Sequence, residues 1–159
     1  LDMINVNIKA VHILTKLFLR DFKRKNRGHI LNVASSAGFM TGPLLSSYYA
    51  SKNYIVKLSL AIYEELRRTK SNVKISIFCP GPVNTNFNNR AGVRFSVKPI
   101  SSEYAAKYAI DKCLNGKTII IPSIDMKLGI FGTRLLPNKL LAAIPIIFSI
   151  KKTGVKLPR

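Results

Sequence analysis

A chain of 159 residues, 47% of them hydrophobic, is long and apolar enough for one domain with its own core, which excludes a disordered polymer. Seven carboxylates and two histidines, His12 and His29, leave little to hold a metal ion, and the two cysteines, Cys79 and Cys113, form no CxxC pair. The net charge of +19 is spread evenly, with 13 Lys/Arg against 4 acids in residues 1–80 and 13 against 3 in residues 81–159, so it marks no nucleic-acid-binding arm.

The first element in chain order is a helix over residues 3–25, MINVNIKAVHILTKLFLRDFKRK, with apolar positions at helical spacing and Asp2 as a candidate cap. It ends in a basic turn before Gly28, as a helix C-terminus favours. HILNVA, residues 29–34, reads as a short buried strand. A loop of small residues follows from Ser35 to Ser47, broken by Gly38, Gly42 and Pro43. Residues 48–69 form a second long helix, apolar at Ile55, Val56, Leu58, Ala61, Ile62 and Leu66. VKISIFC, residues 73–79, is the second strand, stopped by Pro80-Gly81-Pro82. Ser101-Ser102-Glu103 opens a third helix that Asn115-Gly116 closes, and TIIIP, residues 118–122, is the third strand.

This alternation implies a doubly wound α/β fold with a parallel sheet. Ligands in such sheets sit beyond the carboxyl ends of the strands, which directs attention to the segments after Ser35, Pro80 and Pro122. The expected division is a Rossmann-like domain over residues 1–122 and a basic, apolar extension over residues 123–159. The cysteines are expected to be free, buried thiols in a reducing, cytoplasmic compartment.

Tyr48 and Lys52 lie four apart at the start of the second helix, so their side chains share one face. An ammonium close to a phenol favours the phenolate and lowers its pKa from about 10. A tyrosine so tuned can exchange a proton with a carbonyl or alcohol oxygen near neutral pH. The spacing alone carries little weight, because Tyr108 and Lys112 repeat it inside the third helix. There, away from any strand's carboxyl end, Tyr108 reads as packing and Lys112 as solvated. Tyr48 has a context that Tyr108 lacks. Ser35 stands thirteen residues earlier, directly after a strand, where its hydroxyl can donate to the same oxygen. Ser36, Ser46 and Ser47 are assigned turn or cap roles.

The runs GHILNVASSAGF (28–39), SSYYASK (46–52) and PGPVNTNF (80–87) resemble, in order and spacing, the signatures of short-chain dehydrogenases/reductases. The resemblance covers roughly residues 1–122. It implies hydride transfer between a nicotinamide cofactor, NADP ahead of NAD, and a small carbonyl or alcohol substrate. It makes Tyr48 the proton carrier and Ser35 the polarising hydroxyl. Lys52 would lower the Tyr48 pKa and bond the nicotinamide ribose, so Tyr48 and Lys52 also count as cofactor-binding. Asn7 is taken as the relay asparagine, with Asn5 as its competitor. Pro80, Gly81, Val83 and Thr85 fall where the family's loop meets the carboxamide. Homo-oligomerisation through the two long helices is also implied.

No GxGxxG or GxxxGxG occurs anywhere, and the chain opens at Leu1 inside a helix-patterned stretch without an initiator Met. The expectation is therefore a catalytic portion cut from a larger enzyme, in which the strand edge facing the missing half lies open. Residues 126–159 carry seven Lys/Arg and no acid, interleaved with LGIF and LLAAIPIIFSI. Such a segment could cover the substrate pocket, pack on a partner subunit, or lie on an anionic membrane surface, where it would favour a lipophilic substrate. The competing functions are a non-catalytic remnant or interaction module, and a basic membrane-surface binder.

Overall fold

The structure, a computed structural model, describes residues 1–87, 97–137 and 139–142. Most of the interleaved basic and apolar residues of the tail lie outside them. The chain begins with one continuous helical run made of α1 (Asp2–Ile4), a π-helical segment (Asn5–Ala10) and α2 (Val11–Lys25). Regular periodicity does not anticipate the π segment, which widens the helix and re-aims the side chains on it. Asp2 does not cap this run. It sits in the first turn, after Leu1 at the N-cap, where its charge still complements the helix dipole. Asn26 stops the run in the left-handed conformation, at φ 46°.

Three parallel strands follow in sequential order, with β1 (Gly28–Val33) beside β2 (Val73–Phe78) and β2 beside β3 (Ile119–Ile120). The register pairs Ile30 with Ile75, Val33 with Phe78, and Phe78 with Ile120. The crossovers are α3 (Ser46–Arg68) and α4 (Ser102–Leu114), and α5 (Ile124–Thr133) closes the described fold. β3 is two residues long, shorter than the apolar run around it suggests.

Alternation along β2 explains why helices cover both faces. Ile75 and Ile77 point to one side, where α3 supplies Ile55, Val56, Ile62 and Leu66. Phe78 points to the other, where α4 supplies Ala105, Ala109 and Cys113. The doubly wound α/β class is thus realised directly. Ala61 is a correction to the expected core face, since it is exposed and Ser59 is buried in the helix's inner stripe instead. β1 is an edge strand among the described residues, with the open edge that was expected, since only β2 pairs with it; it is less buried than its apolar run suggests, with Val33 55% exposed.

Ser59 belongs to a buried polar chain. Thr15 on α2 donates to Asn32 Oδ1 on β1 at 3.2 Å, and Asn32 Nδ2 donates to Ser59 Oγ at 2.9 Å. All three residues are buried, so these bonds tie both long helices to one point of the strand. Cys79 and Cys113 are free and buried.

Candidate active site

The carboxyl ends of the strands meet around a cavity of about 220 Å³. Ser35 enters it from the end of β1, Tyr48 from the first turn of α3, and Pro80, Gly81, Val83 and Thr85 from the loop after β2. Apart from Ser36, the remaining wall is mostly apolar, with Met40, Leu45, Tyr49, Phe87, Val97 and Met126 among its residues. All three strand-end segments singled out by fold class therefore converge here, the third through Met126.

Ser35 is held in extended backbone at the N-cap of a 3-10 turn, Ser36–Phe39. Its hydroxyl accepts from Ala37 N at 3.2 Å and donates a long bond to Pro80 O at 3.4 Å. The loop lies close against α3. A Cβ on Gly38 would stand 2.6 Å from Val56 Cγ2 and 2.8 Å from the Lys52 carbonyl, and one on Gly42 would enter the Tyr49 ring. These glycines are close approaches as well as breakers. Gly38→Ala is expected to destabilise the protein by ~1–3 kcal/mol, read as a lower denaturant midpoint at unchanged slope.

Asn53, directly after Lys52, was not singled out from sequence. Its Nδ2 faces the carbonyls of Ala37 at 3.1 Å, Met40 at 2.9 Å and Tyr49 at 3.0 Å, and so fastens the Ser35 loop to α3. The only hint in the sequence was an amide on the face of a helix that also carries Tyr49 and Val56. Ser36, in the 3-10 turn, donates its N–H to Pro80 O at 2.9 Å. Ser46 and Ser47 do not cap. They occupy the first two positions of α3, and the N-cap Leu45 has no side-chain bond.

Burial raises the Tyr48 phenol above its ordinary 10.0, and the nearby Ser35 hydroxyl acts in the opposite direction. This departs from the expectation that Lys52 brings the phenol down. The reason is geometric: Lys52 Nζ lies over the ring, 5.8 Å from its centroid, and donates to Val33 O at 3.2 Å. Burial also lowers Lys52 itself, so both groups of the pair are pushed toward their neutral forms. Burial drives the Cys79 thiol up to about 12, which keeps it protonated and unreactive.

Asn7, in the π segment, donates from Nδ2 to Ser51 Oγ at 3.1 Å, and Ser51 Oγ donates to the Tyr48 carbonyl at 2.7 Å. Asn7 is half-buried against α3, whereas Asn5 is exposed. Asn7 does not line the cavity. The repeated pair, Tyr108 and Lys112, has almost the same ring–ammonium distance, 5.5 Å. Tyr108 packs against the α4 core and Lys112 pairs with Asp111 at the surface. Spacing thus sets the contact in both helices, and position decides what the contact faces. His12 bonds the Tyr54 hydroxyl and His29 the Cys113 carbonyl, and no group of three metal ligands occurs among the described residues.

A family model described as short chain dehydrogenase matches residues 1–93. Estradiol 17-beta-dehydrogenase 11 of Macaca fascicularis is 32% identical over 156 residues, covering 94% of this chain and 50% of the relative. The fold is similar to a short-chain dehydrogenase from Sphingobium yanoikuyae in complex with NADPH, with a TM-score of 0.67, 21% identity, and coverage of 83% of this chain and 53% of that one. A short-chain dehydrogenase/reductase from Burkholderia phymatum in complex with NAD gives a TM-score of 0.67 at 20% identity, covering 96% and 60%. The chain spans about half the length of the curated relatives it matches.

Proposed function

The chain belongs to the short-chain dehydrogenase family, and on that premise we propose that its cavity is the substrate end of a nicotinamide-dependent oxidoreductase acting on apolar ketones or secondary alcohols. The observation that carries this is the meeting of the Ser35 hydroxyl and the Tyr48 phenol at one cavity wall, beyond the carboxyl ends of β1 and β2.

In this reading both hydroxyls grip the reacting oxygen. Tyr48 gives it a proton in reduction or takes one in oxidation, and Ser35 stabilises the charge that develops. A bound nicotinamide would supply or accept the hydride. The residues present suit its reactive end, since Gly81 keeps the loop after β2 free of a side chain and Lys52 offers an ammonium beside Tyr48. Asn7 acts through Ser51 on the backbone that carries Tyr48, as a positioning residue. NADPH and NAD in the similar solved structures support a nicotinamide cofactor without choosing between its two forms. The apolar wall supports a lipophilic substrate, in keeping with a relative named for estradiol. Exposed Ile13, Leu14, Leu17 and Phe18 on α2 support a homo-oligomer.

The test has two stages. Melting is followed with NADH and with NADPH, and oxidation of the stabilising form is then followed with apolar ketones. A rise in melting temperature followed by ketone-dependent oxidation is the expected result. No shift with either form, and no turnover, would assign the chain a non-catalytic role.

The raised Tyr48 phenol also sets a pH profile. Held above 10, it is protonated across the neutral range and competent as an acid. Carbonyl reduction is therefore expected to stay level through neutral pH and fall on the alkaline side. Alcohol oxidation needs the phenolate and is expected to rise with pH over the same range. Opposite slopes would remove Tyr48 as the titrating group.

A further inference from the structure

Helix α5 has two apolar faces. The inner one places Met126 in the cavity wall and Ile130 in the core beside Ile55 and Ile77. The outer one carries Ile124, Leu128 and Phe131 at i, i+4 and i+7, with Leu135 just past the helix end. Their exposures are 73%, 68%, 62% and 74%. The face of a surface helix turned away from its core ordinarily carries polar side chains, so four large apolar ones at this spacing form an unpartnered ridge.

Of the charged side chains on α5 and at its C-cap, Asp125 stands in the first turn, whereas Lys127 and Arg134 further along are basic. Lys127 and Arg134 stand about one turn to either side of Phe131, both exposed, and among the described residues no carboxylate pairs with either. Asp125 is the last acid in the sequence, and all seven charged side chains after it are basic. A second copy of the chain docked through this face would bring two basic margins together on molecules that each carry +19. An anionic surface would neutralise them.

We propose that α5 lies flat on an anionic lipid surface. Ile124, Leu128, Phe131 and Leu135 enter the boundary between headgroups and acyl chains, and Lys127 and Arg134 sit at the anionic headgroups. The mode is surface attachment, since no helix among the described residues is long and apolar enough to cross a membrane. Through Met126 the same helix would set one wall of the cavity beside the lipid.

The test is co-sedimentation of the full chain with vesicles of phosphatidylcholine alone and of phosphatidylcholine with phosphatidylserine, at low and physiological salt. Binding to the phosphatidylserine vesicles that weakens with salt is expected. Leu128→Gln with Phe131→Gln keeps the net charge and is expected to weaken that binding roughly ten-fold or more, because it removes most of the inserted apolar surface. Lys127→Glu with Arg134→Glu is expected to abolish the preference for phosphatidylserine, whereas Lys107→Glu with Lys112→Glu, an equal charge change on α4, has a smaller effect. Circular dichroism melting identifies any variant that loses the fold, and the charge-reversal pair then carries the test alone. Absence of binding to phosphatidylserine vesicles would overturn the proposal. So would equal binding by the glutamine pair, or a glutamine pair that breaks self-association in sedimentation while leaving vesicle binding intact.

Discussion

Replacing Tyr48 by Phe is expected to lower carbonyl reduction by about 10²–10⁴-fold while leaving the fold in place. The substitution removes one oxygen from a half-buried ring that still packs against Tyr49 and Phe87, at centroid distances of 6.0 Å and 5.1 Å. Packing is kept and the proton is lost, so the effect belongs in turnover, with substrate affinity little changed. Tyr108→Phe is the matched control. Its ring carries a lysine at nearly the same distance, yet it packs against the α4 core away from the cavity, and no loss of activity is expected. Equal losses for the two variants, or full activity in Tyr48→Phe, would refute the proposed role of the phenol.

Asn32→Ala is expected to cost about 2–4 kcal/mol, measured by chemical denaturation, through two additive physical effects. It leaves Thr15 and Ser59 facing each other across an emptied space without the amide that joined them. It also removes volume from a closed core, where neighbours relax only partly. The consequence reaches the candidate site, because the next carbonyl along β1, that of Val33, accepts from Lys52. Loosening β1 against α3 would therefore shift the ammonium as well as lower stability. A loss below about 1 kcal/mol would mean that the three polar groups find other partners.

Much of the fold was legible because burial leaves a period. The runs 29–34 and 73–79 and the helices around them follow from where apolar residues recur. The two errors of placement, Ala61 and the unbroken first helix, share a cause. Periodicity treats a buried serine as surface and an alanine as core, and it cannot register a π segment that shifts the phase by one residue. In the structure Ser59 is inside because Asn32 satisfies its hydroxyl, a partner 27 positions away in sequence.

The candidate site divides in the same way. Tyr48 and Lys52 are neighbours by helix geometry, which four-residue spacing guarantees in any helix, as Tyr108 and Lys112 demonstrate. Local sequence thus settled which side chains touch within one helix and which elements form. Only the packing of β1, β2 and α5 around a shared end brought Ser35, Gly81 and Met126 to the same cavity as Tyr48. Burial there, a property of the assembled fold, outweighs the Ser35 hydrogen bond and raises the phenol that spacing alone would have lowered. Contacts made between distant segments carry no periodic trace in the chain, and desolvation depends on every neighbour at once, so both became visible only after folding.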